Sequence, residues 1–465
     1  MARMPRCLRL ALLLLAWFAS TALAQALPPE VESALASQGL PADAVAALVM
    51  PAEGGAPRVA HRIDAPVNPA SIAKLATTYA ALELLGPNFT WKTPVYFDGA
   101  VRGGSLQGNL VIQGGGDPAL VIERLWLLLQ RVRALGVRRI DGDILLDRRA
   151  FQLPPHDPAA FDGQPLRPYN AGPDALLVNY KAVALTLQPD GQRAQLMAQP
   201  ALAGVRWPAI VPLSNGPCND WIGALGADFT DPNQPRFTGS YPRACGEQTW
   251  QLAFPDAAGY AARAVAALWR GMGGQLSGTV RDGTVAAERK PAFVFESPPL
   301  AEVIRDINKY SNNVMAQQVF LTLSLQQRGT GSFEASREIL RAWWRDRIGG
   351  EAPVTQNGSG LSRDESITAR QLGQLLQTAW LSPLMPELAS SLPLLGVDGT
   401  LRRQKQNVGI AHLKTGSLDQ VVGVAGFVHG AQGHRYILVA IANHPKAAAL
   451  RPAIQALVDW TARQP

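Results

Sequence analysis

Apolar and polar positions along this chain change period several times, and each change marks an element. A short helical stretch, Glu30 to Ser37, gives way to an apolar run, Ala44 to Met50, that reads as a strand. Glu53-Gly54-Gly55 supplies a turn, and a second strand follows around Arg58 to Arg62. Pro66 and Pro69 bracket a loop. A helix then opens at Ser71 and runs to Leu85, where Gly86-Pro87 stops it.

The C-terminal third repeats this style. Leu300 to Gln327 is helical with a break near Ser311, and Thr368 to Leu381 is amphipathic. Strands follow at His412 to Gly416, Val421 to Val428 and Arg435 to Ala442, with Gly430 and Gly433 in the last turn. A final helix spans Ala447 to Arg463. Three successive antiparallel strands and a terminal helix predict a sheet covered by helices, an α+β class.

The middle of the chain differs. Strands Asn109 to Gln113 and Gly142 to Leu146 flank a helix, Ala119 to Leu135, and another helix spans Tyr260 to Met272. Residues 186–261 are rich in Pro, Gly, Asn and aromatics. The helix around Trp126 reads as core rather than as a cofactor box. The expected division is a leader over 1–24 and a main domain from 25–94 and 295–465. One inserted domain takes 95–185 and 262–294, with a second, 186–261, nested inside it.

Composition narrows the function classes. Arg3, Arg6 and Arg9, the apolar run Leu10 to Phe18 and Ala22-Leu23-Ala24 form a secretory leader that ends before Gln25. The run falls short of the ~20 residues that span a bilayer, so export without stable membrane insertion is expected. Cys7 precedes the apolar run and is badly placed to accept a lipid. Removing 1–24 takes away three arginines and no acid, lowering the net charge from +7 to +4. That is too mild for nucleic-acid binding, and no arginine stripe interleaves with aromatics. Cys218 and Cys245 remain, an even pair that an oxidising compartment joins as a disulfide. The six histidines form no His-x-x-x-His pair and no Cys-x-x-Cys occurs, so neither a metal nor a cofactor is expected.

Three short motifs carry candidate chemistry: Ser71-Ile72-Ala73-Lys74, Ser311-Asn312-Asn313 and Lys414-Thr415-Gly416. Spaced three apart on a helix, Ser71 and Lys74 share a face, which sets an amine beside a hydroxyl that needs a base. Lys414 would be the second cation that keeps this amine partly neutral. The backbone N–H groups of Ser71 and Ser417 are candidate oxyanion donors. Ser311 is placed to relay a proton, and Asn313 to hydrogen-bond Lys74 and a substrate amide. On a strand edge, Lys414 and Thr415 would hold a terminal carboxylate, while Gly416 admits the substrate backbone. Taken singly, each motif has a plainer reading: an N-cap serine with a solvated lysine, a turn cluster, and an edge strand with a protective lysine. Gln113-Gly114-Gly115-Gly116-Asp117 is only superficially a phosphate loop, because no Gly-Lys-Ser/Thr follows.

In their order along the chain, the motifs resemble those of the low-molecular-mass class C, or type-4, penicillin-binding proteins. The resemblance extends to Gly114-Gly115-Gly116-Asp117-Pro118, to Asn357 through Arg363, to Val397-Asp398-Gly399-Thr400-Leu401 and to Gly423-Val424-Ala425-Gly426-Phe427. It implies a transpeptidase-like domain, an antiparallel sheet with helices on both faces, interrupted by two smaller domains. It also implies a periplasmic serine D-Ala-D-Ala carboxypeptidase or endopeptidase acting on peptidoglycan peptides and acylated by β-lactams. Ser71 would be the nucleophile and Lys74 its base, with Ser311, Asn313 and Lys414 completing the centre. Arg363 and the stretch from Asp162 to Tyr169 would recognise a diamino-acid side chain. Asn312 stands where an aspartate is common, and Asp419 lies where it bears on which peptide is preferred. A β-lactamase or esterase of the same fold, and a catalytically idle peptidoglycan-binding protein, are the alternatives.

Overall fold

Residues 26–286 and 288–465 are described by a computed structural model of the chain. The expected leader, with Cys7, lies outside them. Helix α1 (Pro29–Ser37) is followed by strands β1 (Val45–Pro51) and β2 (Val59–His61), a 3-10 turn (Ala70–Ala73) and helix α2 (Lys74–Leu85). Then come β3 (Lys92–Asp98), β4 (Asn109–Gln113), α3 (Ile122–Ala134) and β5 (Ile144–Asp147). A β-rich stretch holds β6 (Ala182–Asp190), β7 (Arg193–Gln199), β8 (Ile210–Ser214), β9 (Tyr241–Pro242) and β10 (Gln248–Ala253). Next are α4 (Tyr260–Gly271), β11 (Val280–Asp282), β12 (Phe293–Glu296), α5 (Leu300–Tyr310), α6 (Asn313–Arg328) and α7 (Phe333–Arg347). The chain closes with α8 (Ala369–Trp380), β13 (Ala411–Leu418), β14 (Val421–His429), β15 (Arg435–Asn443) and α9 (Arg451–Ala462).

Two compact units divide these elements. Among the described residues, one takes 26–72, Glu365–Met385 and Leu392–Pro465; the other takes Ala73–Asp364 and Pro386–Ser391. The first is built on an antiparallel sheet ordered β13-β14-β15-β1-β2. Val31 and Leu35 of α1 and Ile454 and Val458 of α9 pack with Val424, Leu438 and Ala47 on one face. Helix α8 lies on the other face, so close to β1 that a Cβ on Gly373 would stand 2.3 Å from Leu48. Burial on both faces explains why Val421 to Val428 is apolar without alternation. Strand β13 ends the sheet, with its outer edge bridged only at His412 to Leu394 among the described residues.

In the second unit α2 packs among α5, α6 and α7, and residues Lys74 through Leu82 are all buried. Its buried polar residues Lys74, Thr77 and Thr78 each have a hydrogen-bond partner, as burial requires. A further sheet, ordered β11-β5-β4-β3-β12, draws its strands from both 92–147 and 280–296. Another, ordered β9-β8-β7-β6-β10, lies wholly within 182–253 and carries the Cys218–Cys245 disulfide in its connections. Helix α3 differs in detail from the expectation. Leu125, Leu128, Leu129 and Val132 are buried, but Trp126 is 42% exposed, because its position falls on the opposite stripe.

Candidate active site

In the first unit Ser71 sits in a 3-10 turn, not in the first turn of an α-helix; α-helical geometry begins only at Lys74. The preceding Ala70 has φ +48°, an unusual left-handed conformation for a residue with a Cβ. Side chains hold the turn in place. Asn68 accepts the N–H of Ala70 on Oδ1 at 2.9 Å. Asn443, at the end of β15, accepts the N–H of Asn68 at 2.7 Å and donates to its carbonyl at 3.1 Å. Sequence reading missed Asn68 and Asn443, since neither belongs to a motif.

The third triplet lies on β13 of this same unit. A Cβ on Gly416 would stand 2.6 Å from the Pro69 carbonyl oxygen and 3.0 Å from Ile72, so only glycine lets the strand come this close to the serine turn. Lys414 is fully buried and donates to the Thr415 carbonyl at 2.8 Å. Burial pushes its ammonium down to about 7. Near neutral pH this side chain is therefore a titrating group rather than the permanent cation the spacing suggests. Thr415 shares a hydroxyl hydrogen bond with Thr400 at 2.9 Å, and Ser417 is exposed.

Lys74 heads α2 in the second unit. It is fully buried, and its ammonium donates to Asn313 Oδ1 at 2.6 Å and to the Ser359 carbonyl at 2.5 Å. The lysine is thus not a solvated one. Ser359 belongs to the Asn357-Gly358-Ser359-Gly360 loop. That loop is closed by hydrogen bonds from the Ser359 N–H and Oγ to Asn357 Oδ1, and anchored by Thr77 on the Gly358 carbonyl. Gly358 has φ +73°, and a Cβ there would lie 2.5 Å from Phe320. The loop's carbonyl as a partner of Lys74 was invisible in the sequence.

Ser311 ends α5 in the left-handed region, φ +57°. Asn312 caps α6 by accepting the Met315 N–H at 3.1 Å, a duty that aspartate or asparagine performs equally well. The departure at this position therefore has a structural home. Asn313 also donates to the Tyr169 carbonyl at 3.2 Å. Tyr169 in turn donates through its hydroxyl to Asp162 at 2.8 Å, and Asn170 donates to the same carboxylate at 2.7 Å. Burial works to raise the Asp162 pKa, but these bonds and the Gln164 N–H outweigh it and hold it below the usual range. Arg363 lies 5.1 Å above the Phe161 ring, next in sequence to Asp162. Lys74, Asn313 and the Asp162–Tyr169 stretch are brought together within this unit, with Arg363 beside Phe161.

The family model of the D-Ala-D-Ala carboxypeptidase 3 (S13) family matches residues 27–464. The D-alanyl-D-alanine carboxypeptidase of Actinomadura sp. (strain R39) is 28% identical over 393 residues, 78% of this chain and 71% of its own. The D-alanyl-D-alanine carboxypeptidase DacB of Haemophilus influenzae is 23% identical over 386 residues, 80% of each chain. The solved penicillin binding protein 4 (dacB) from Haemophilus influenzae superposes with a TM-score of 0.75 at 22% identity, covering 93% of this chain and 99% of that one. Bd3459, a predatory peptidoglycan endopeptidase from Bdellovibrio bacteriovorus, gives 0.51 at 16% identity, covering 89% and 92%. These superpositions establish the fold.

Proposed function

The chain belongs to the D-Ala-D-Ala carboxypeptidase 3 (S13) family of serine peptidases, and from that premise we propose that Ser71 is its acylated nucleophile. Ser71 Oγ attacks the carbonyl carbon of a D-Ala-D-Ala bond while its proton passes to a neutral Lys74. The N–H groups of Ser71 and Ser417 receive the oxyanion. Ser311 relays the proton to the departing amine, free D-alanine leaves, and water releases the acyl group by the same route in reverse. A cross-link is cut identically when the leaving amine belongs to a neighbouring peptide. A β-lactam acylates Ser71 in the same way, but its leaving nitrogen stays tethered.

The single observation carrying this reading is the buried Lys74 ammonium held by Asn313 of another motif. The lysine is thereby fixed by a residue of a second motif, as a positioned base requires. The outer edge of β13 suits an extended peptide, whose terminal carboxylate would lie at Lys414 and Thr415. Asp162, Tyr169 and Arg363 are proposed to read the peptide's diamino-acid side chain. The sheet that gathers strands from 92–147 and 280–296, with the 182–253 sheet between them in sequence, supports one inserted domain nested in another. Periplasmic residence rests on the leader. Among the described residues no helix is long and apolar enough to cross a membrane.

Intact-protein mass after exposure to benzylpenicillin tests the assignment. A one-equivalent adduct is expected on the wild type and none on Ser71→Ala. A persistent adduct favours the peptidase over a β-lactamase of the same fold, which would turn the drug over. Absence of an adduct on folded wild type would overturn the acyl-enzyme reading in favour of an idle binding protein.

A further inference from the structure

The sheet of the first unit carries a cavity of about 310 Å³ between β13, β14 and α9. Val422 and Val424 from the sheet and Ile454 and Val458 from α9 make its apolar body. Thr400, Gln404, Thr415, Ser417, Arg451 and Gln455 are its polar lining residues, and Lys414 does not line it. Interiors are close-packed, and a void of about 150 Å³ already accepts a benzene molecule. This one is roomier and carries polar side chains among its lining. Among the described residues no acidic side chain lines it. Arg451 opens α9, so its guanidinium and the positive end of a 12-residue helix reinforce one another.

We propose that this cavity is a regulatory site for an amphiphilic carboxylate, with one anionic head and an apolar body on the order of ten heavy atoms. The head is taken by Arg451 and by the hydroxyls of Thr400 and Thr415, while the body fills the space over Val422 and Val424. Occupancy draws the Thr415 hydroxyl toward the guest. Given the reading above, in which Thr415 holds the substrate carboxylate, the guest opposes substrate. The cavity shares Thr415, Gly416 and Ser417 with the proposed substrate strand but contains neither Ser71 nor Lys74, so guest and substrate meet along β13.

Calorimetric titration of the whole protein with octanoate, and with octylammonium as a charge-reversed control, tests the site. One-site binding of octanoate alone is expected, on wild type and on Ser71→Ala equally. Arg451→Gln should weaken it about tenfold, the scale of a lost charge-assisted hydrogen bond. Ile454→Trp should abolish it by filling the space, with thermal melting showing that the variant folds; if it does not fold, the exposed Arg451 variant decides alone. Equal binding of octylammonium, or wild-type affinity in Arg451→Gln, would overturn the site. Octanoate should also slow acylation by benzylpenicillin severalfold, and binding without that slowing would overturn the regulatory role. If Ser71 proves not to be acylated at all, the mechanism fails while the titration still judges the cavity.

Discussion

The Lys74 ammonium donates to Asn313 Oδ1 at 2.6 Å, joining two motifs 239 residues apart. The acceptor is neutral, and that neutrality matters. Replacing it with a carboxylate at this distance would favour the charged amine. Asn313→Asp should therefore cut benzylpenicillin acylation at neutral pH by 100-fold or more, within the range of a lost general base. Raising the pH should recover part of the rate. Asn313→Ala should lose rate without that recovery. Stopped-flow acylation across pH checks both, and an aspartate variant as active as wild type at pH 7 would sink the role.

Lys414 titrates near 7 because burial penalises its ammonium. As pH rises through this value the positive charge is lost, and a substrate carboxylate held there, as proposed above, would lose its partner. Binding of a D-Ala-D-Ala peptide to the Ser71→Ala variant should thus weaken above pH 7, approaching tenfold per unit. An amide-capped peptide should show no such slope, and Lys414→Arg should flatten it. Calorimetry at pH 6, 7 and 8 reads the effect, and equal slopes for acid and amide would refute it.

Ser311 holds φ +57°, a conformation that side-chain-bearing residues adopt at some cost. Ser311→Gly should leave stability unchanged or raise it by up to about 1 kcal/mol, because glycine's extra unfolded freedom offsets part of the relief. The same change should reduce acylation by at least about 100-fold if the hydroxyl relays a proton. Denaturation and mass spectrometry on one sample separate the two effects. A less stable but fully active variant would refute both parts.

Much of this was legible because it is local. The motifs are contiguous, the strands of the first unit are solid apolar runs, and Thr368 with Gln371 forms a capping box at the start of α8. Trp126 was not legible as exposed, because its neighbours Leu125 and Leu127 blur the helical stripe. Strand β7 alternates inward Ala194 and Leu196 with outward Arg193, Gln195 and Met197, yet the Pro- and Gly-rich connections around it and the exposed methionine hid the pattern. Asn443 gives no signal at all, since its partner lies at the other end of the chain.

Asp117 is buried, and desolvation raises its pKa to about 6 from 3.8, despite the Ala119 N–H and Arg124. Its Oδ2 has no hydrogen-bond partner among the described residues. Between these values the native state keeps a proton that the unfolded chain has lost. Stability should therefore fall as pH rises from about 4 to 6 and stay lowered above that, by about 3 kcal/mol. Asp117→Asn should remove this component and be the more stable protein at pH 7. Urea unfolding of both proteins at pH 4.5 and 7 measures the difference, and parallel pH dependences would refute it.

The Asn68–Asn443 pair is separated by 375 residues. During vectorial synthesis the serine turn emerges early, but the side chain that clamps it arrives only when β15 has been made. Contacts of such sequence separation form late and slowly. The nascent chain would thus carry Ser71, the proposed nucleophile, past every intermediate length before Asn443 holds its turn. On that proposal, acylation would await synthesis of β15, which ties the onset of chemistry to assembly of the whole sheet.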